Sequence, residues 1–473
     1  MKKLLIGLNV LLLSYAGVCQ EARLFSKDST IYAIGEFEDG KREGKWQYYD
    51  SLDRKMEEGK FENDQRIGTW KIFYKSGEVM ARVDYENNQA RDYREYYRSG
   101  QKKAEGQFEN NKKEGQWTFY QPSGRKQMIN EYVKGKREGL VKTYDFYGDL
   151  IMEAQFKNDT TDGYWKEYNS GRRLEIERYY TAGVPDRLWK SYYFNGSVKD
   201  LKRYKNGVPD STWLEYYEDG SIRSKQHYDN GKEVGRWATF HENGKPNATT
   251  LYKDGWQDSV FVSYHDNGKI SERGNYEYGL KTGIWRSFSK KGVLLSEGAF
   301  ENGKEEGQWF NYYDNGQLRS VGYFKEGFET GLWGVFHDNG QLMQEETWKY
   351  GKLWNVSPFI TSKGDSLNAG TLKDGNGQKI NYYTSGEKEI VCDFKNGVPN
   401  GTWLYYFPNG KVAEKGQFVD GLKEGEWIFY HNNGRPEAEG KFTKDVKVGK
   451  WAYFYRSGQL AETIDHSEQP ESP

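Results

Sequence analysis

The chain has 473 residues with 69 basic and 70 acidic side chains, a formal net charge of -1, and 35% hydrophobic residues. The charges alternate finely, as in Lys304-Glu305-Glu306, so the sequence offers no basic field for nucleic acid or anionic lipid. Aromatic residues make up 16%, which sets the chain apart from aromatic-poor disordered sequences and leaves burial to rings.

In chain order, residues 1–19 predict a secretory signal: Lys2 and Lys3, the short apolar run from Leu4 to Leu13, and Gly17 and Cys19 flanking a cut before Gln20. The run is too short to span a bilayer, and no later apolar stretch approaches 18 residues. Cys19 allows an alternative, acylation as a lipoprotein anchor, although Val18 is a poor residue just before such a site. With Cys19 removed, Cys392 is the remaining thiol and no internal disulfide forms. Residues 20–34 form a lead-in.

From 35 to 463 the sequence repeats. An aromatic recurs at Tyr49, Phe73, Tyr97, Tyr120, Tyr144 and onward to Phe454, with fourteen gaps of 24 residues and three of 23. A second aromatic column, Phe37, Phe61, Tyr85 and onward through Phe324 to Phe442, lies twelve residues earlier. A third, three residues before the first, holds 13 of the 16 tryptophans, among them Trp46, Trp70, Trp285, Trp309 and Trp451. A fixed period of this length means stacked repeat units, about 18 here. Asn302-Gly303 and Asn315-Gly316 are turn dipeptides that supply positive φ, and Gly307, two before Trp309, predicts a backbone that a β-carbon opposes. Segments of about five to seven residues between turns are strands. The expected fold is all-β, an elongated single-layer array of antiparallel hairpins. Trp and the aromatic three later should point to opposite faces, unless a bulge at the glycine reverses them.

The pattern breaks at 90–94 and at 346–390, and Trp256, Trp348 and Trp354 fall outside the tryptophan column. Repeat decay explains such breaks; a partner-contact patch at Trp256, Trp348 and Trp354 is the functional reading, since tryptophan is favoured in binding hot spots. Residues 464–473 form a polar tail.

No chemistry stands out. His241, His265, His337 and His431 share one repeat position, read as a solvated turn residue that other copies replace with Asp314, Asn169 or Ser289. The glycines are periodic hairpin glycines without a phosphate-loop context, no Cys/His cluster has metal-ligand spacing, and no nucleophile–base pair emerges. The sequence therefore predicts no enzyme and no cofactor.

The pattern G-x-F-x-N-G-x-x-x-G-x-W-x-x-Y-Y-x-N-G-x-L, clearest at 298–318, 322–342 and 416–436, resembles the MORN repeat in its bacterial variant. The resemblance implies antiparallel hairpins side by side, and protein contacts or phospholipid association. Chains of this kind also resemble YwqK-type antitoxins, although a protein exported by this signal would not meet a cytoplasmic toxin. The expected function is a monomeric, exported scaffold, periplasmic, cell-surface or extracellular, that binds a protein partner. A toxin-neutralising role and a cell-wall carbohydrate or lipid-surface module are the alternatives.

Overall fold

The computed structural model describes residues 20–26 and 30–467; the signal segment with Cys19, and the last six residues of the tail, lie outside them. Among the described residues there is no helix. The chain divides into two compact units, residues 1–232 and 233–473. Within each unit, strands pair antiparallel with their neighbours in sequence, and contacts between elements run between strands close in sequence order. The all-β hairpin array expected from the period is therefore what the chain forms.

One repeat shows how the sequence does this. Strand Leu294–Glu301 turns through Asn302 and Gly303 into strand Lys304–Tyr312. Both turn residues have positive φ, 49° and 80°, and Glu301 pairs with Lys304, the geometry of a two-residue turn whose twist matches the strands. The opposite end differs from expectation. In Tyr313-Asp314-Asn315-Gly316 only Gly316 has positive φ, at 83°. Its N–H donates to the Tyr313 carbonyl and Tyr313 N–H donates to the Gln317 carbonyl, which closes a longer loop. Asn315 acts there through its side chain, accepting from Gln317 N–H at 2.9 Å.

A bulge recurs in each regular repeat. Between the pairs Glu297–Phe310 and Ala299–Glu306, the single residue Gly298 faces Gly307, Gln308 and Trp309. Gly307 bends the strand with φ of 72°. The bulge lies before the tryptophan, and a second register shift between Ser287 and Phe288 puts its extra residue, Leu295, on the partner strand, so Trp285 to Phe288 still alternate and the facing expectation holds. Trp285 packs between Tyr276 and Phe300 on one face, whereas Phe288 on the other lies under Arg273.

The first face is the aromatic core, with Trp46, Trp70, Phe61 and Leu24 clustered at one end of the first unit and Trp427, Trp451 and Phe442 in the second. The second face carries ion pairs and phenols. Glu58 accepts from Lys55 at 3.0 Å, Lys71 at 3.3 Å and Gln47 at 3.3 Å. Burial pushes the Glu58 carboxyl up, but those hydrogen bonds outweigh it and hold it at about 2.

The lead-in contributes strand Gln20–Phe25, paired with Ile31–Glu38. In the irregular stretch, Phe359–Ile360 and Ser366–Leu367 form a small sheet of their own, and regular pairing resumes at Gly377–Tyr382. Lys379 bridges the stretch with a 2.6 Å ion pair to Glu346.

Candidate binding surfaces

The exceptions to the repeat's own packing define the candidate sites. The bulge sets the rule. Trp70, Trp117, Trp285, Trp427 and Trp451 each fold across a glycine eleven residues earlier: Gly59, Gly106, Gly274, Gly416 and Gly440. A Cβ on any of these would lie under 3.0 Å from the indole. The outer ring face is covered by a cation four residues before the tryptophan. Arg66, Lys113, Lys281, Lys423 and Lys447 sit 3.8 to 4.2 Å from the ring centroids. All five indoles are 0 to 2% exposed. Trp309 and Trp333 keep the glycine, but Glu305 and Glu329 stand where the cation would be; Trp309 is half-buried and Trp333 is 8% exposed. In most copies the indole N–H donates to the carbonyl ten residues back, as Trp285 does to Asn275 at 3.2 Å. The N–H groups of Trp333, Trp403 and Trp427 have no partner.

Nine segments match the MORN repeat variant: residues 66–87, 92–110, 209–230, 233–254, 257–278, 305–326, 329–350, 399–420 and 423–444. In these nine segments the chain carries MORN-variant repeats. No curated protein matches it. Solved structures that it resembles include the TcdB2-TccC3-Cdc42 crystal structure, at 10% identity over 95% of this chain and 30% of that one, with a TM-score of 0.13. Another is the Photorhabdus luminescens Tc holotoxin pore, at 10% identity over 92% and 29%, with the same TM-score. The chain thus spans under a third of those chains, and a likeness this weak carries no inference about its role.

The MORN-variant register relocates two of the three sequence-predicted contact residues. Trp348 faces Gly331 across its hairpin, as Phe324 faces Gly307, so it occupies the second aromatic column. It is half-buried and donates to Glu346 at 3.0 Å. Trp354 lies beneath the Lys349 ammonium at 3.9 Å and against Gly375, where a Cβ would stand 2.9 Å from its ring. Packing accounts for both. Trp256 is different: it is 58% exposed and rests on Gly279 of the following turn.

The histidines are not solvated turn residues. His241, His265, His337 and His431 each place Nε2 2.7 to 2.9 Å from a carbonyl 23 residues ahead, and His337 is 1% exposed. Tyr313, rather than Asp314, is the equivalent of His337, and its hydroxyl donates to the Phe336 carbonyl at 2.8 Å. Histidine and tyrosine here are alternative staples between repeats. Loop asparagines add a second tie, for example Asn315 to the Asp338 carbonyl at 2.7 Å.

Near the break at 90–94, Glu78, Arg82, Tyr96 and Arg98 line a shallow open cleft. Cys392 occupies the glycine position beneath Trp403 and is buried, which pushes its thiol up to about 12 and leaves it inert. Among the described residues no cluster of His, Cys, Asp and Glu could hold a metal, and no helix is long and apolar enough to cross a membrane.

Proposed function

We propose that this chain is a non-enzymatic, exported scaffold that binds another protein along the two-residue-turn edge of its second unit. One observation carries the reading. Trp256, Leu280 and Phe328 follow a turn glycine, Tyr278 and Tyr350 precede one, and all five are 48 to 74% exposed. Trp256, Leu280 and Phe328 each lie against the turn glycine of the next hairpin, Gly279, Gly303 and Gly351, so they form a supported row rather than loose side chains. Large apolar groups gathered on a surface mark an interaction site, and aromatic anchors carry most of the energy of such contacts. Export follows from the signal features of residues 1–19, with Gln20 as the mature N-terminus and Cys19 removed unacylated.

The test is affinity capture from the native envelope fraction, comparing the parent chain with a Trp256→Ser, Tyr278→Ser, Phe328→Ser triple variant. Loss of a captured protein without a change in thermal unfolding supports the edge. Undiminished capture by the well-folded variant removes it. Intact mass of the exported chain reads the signal cut, and acyl mass on Cys19 would move the scaffold to a membrane surface.

A further inference from the structure

The aromatic face of the first unit changes character between residues 176 and 228. Eleven residues before Trp189 and Trp213 stand Arg178 and Lys202 instead of glycine, and four before them stand Pro185 and Pro209 instead of a cation. The Arg178 guanidinium lies 5.2 Å from the Trp189 ring and the Lys202 ammonium 5.5 Å from the Trp213 ring. Both indoles are only half-buried, yet they are held rigidly: each N–H donates to a backbone carbonyl at 2.9 Å, of Tyr179 and Arg203. The rings form one chain. Tyr180, Trp189, Tyr204, Trp213 and Tyr228 follow one another at centroid spacings of 5.2, 4.6, 5.2 and 4.7 Å.

A polar row runs beside this aromatic row on the same face. Ser191, Asp200, Glu215 and Ser224 are cross-strand neighbours in that order. Ser191 donates to Asp200, Ser224 donates to Glu215 at 3.1 Å, and Lys202 stands 3.7 Å from Asp200 and 3.9 Å from Glu215. In the fully packed repeats earlier in the unit the same row is mixed, running Ala81, Glu95, Ala104 and Phe119 in cross-strand order.

We propose that this face binds an uncharged linear polysaccharide of β-linked pyranoses. A pyranose presents a flat C–H face and a rim of hydroxyls. A row of rings meets the first and a row of carboxylates and hydroxyls meets the second. One ring per strand, ~4.8 Å apart, is close to the length that one pyranose adds to an extended chain. Asp200 and Glu215 balance Arg178 and Lys202 on this face, so its charges cancel and suit an uncharged polymer. Rings pinned before binding need little ordering when the ligand arrives. The site lies in the first unit and does not depend on the protein-binding edge of the second.

The test uses the whole exported chain, retained on insoluble chitin, cellulose or peptidoglycan sacculi in high salt. Retention on at least one of the three is expected. Trp189→Ala with Trp213→Ala should weaken it tenfold or more, whereas Trp189→Phe should stay within threefold. Because the alanine variants could disturb the hairpins, Asp200→Asn with Glu215→Gln provides a near-isosteric second reading, with an expected loss of threefold or more at unchanged thermal unfolding. No retention on any of the three polymers overturns the proposal. So does retention that high salt abolishes, or that both double variants leave intact.

Discussion

The glycine beneath each buried tryptophan makes a quantitative prediction. In Gly274→Ala the new methyl would lie at least 1 Å inside the 3.4–4 Å of ordinary contact with the Trp285 ring, and the backbone beneath cannot retreat because the bulge holds it. The indole must lift. A buried tryptophan removes ~150–250 Å² from water, worth ~4–6 kcal/mol at about 25 cal/mol per Å². A gap of about 1 Å forfeits a quarter to a half of the packing, and the hydrogen bond to the Asn275 carbonyl adds ~1 kcal/mol. The expected cost is therefore ~2–4 kcal/mol. Gly283→Ala, whose Cβ would meet nothing nearer than the Asn275 side chain at 4.0 Å but which sits at φ of 63°, should cost only the ~1–2 kcal/mol of a left-handed residue. Hydrogen exchange across residues 262–312, with denaturant unfolding of the whole chain, measures both. The decisive arm is a cycle with Trp285→Leu, in which Gly274→Ala should cost less than ~1 kcal/mol. A Gly274→Ala cost below ~0.5 kcal/mol, or one unchanged by Trp285→Leu, would refute the account.

Other outcomes follow from the same geometry. Ser211 and Ser259 hold the bulge-glycine position at φ of 60° and 83°, so Ser211→Gly and Ser259→Gly should each stabilise by ~0.5–1 kcal/mol in denaturant unfolding. His265→Tyr should change stability by less than ~0.5 kcal/mol because tyrosine makes the same staple elsewhere, whereas His265→Ala should lose ~1–2 kcal/mol. Glu58 is held at about 2 against the ordinary 4.5 of a glutamate, so its contribution is complete above pH 4.5 and is lost as pH falls toward 2. Acid titration of Glu58→Gln should therefore show a shallower fall in stability over that window than the parent, by ~1 kcal/mol for a partly solvated pair.

Much of the fold was legible because it is written in periods. The 24-residue spacing fixed hairpins, and the parity of Trp285 and Phe288 fixed their faces. The asparagine-glycine pairs are alike in sequence but not in structure: only Asn302 adopts the left-handed backbone, since the turn at Asn315 has three more residues in which to reverse. The histidine staples were hidden because the bonded carbonyl lies 23 residues away and leaves no mark on the sequence. Trp348 was misassigned for a simpler reason. It is a tryptophan in a column of phenylalanine and tyrosine, and residue type was taken for position. The pairing of a glycine at minus eleven with a cation at minus four was present in the sequence, but only the three-against-one bulge explains why both matter.

The staples also constrain how the chain could change length. The Tyr313 hydroxyl reaches a carbonyl 23 residues ahead, and the N–H of Gly303 reaches the Lys281 carbonyl 22 residues behind. Both edges of a hairpin are thus tied at a fixed offset. A deletion or duplication of less than a whole unit leaves one tie with nothing opposite, but the loss of a whole unit, 23 or 24 residues long, lets every broken bond find an equivalent partner in the next. For such a chain, length is a countable variable, changed in steps of one repeat, and the variation that selection can sample most cheaply is the number of hairpins rather than the shape of any one.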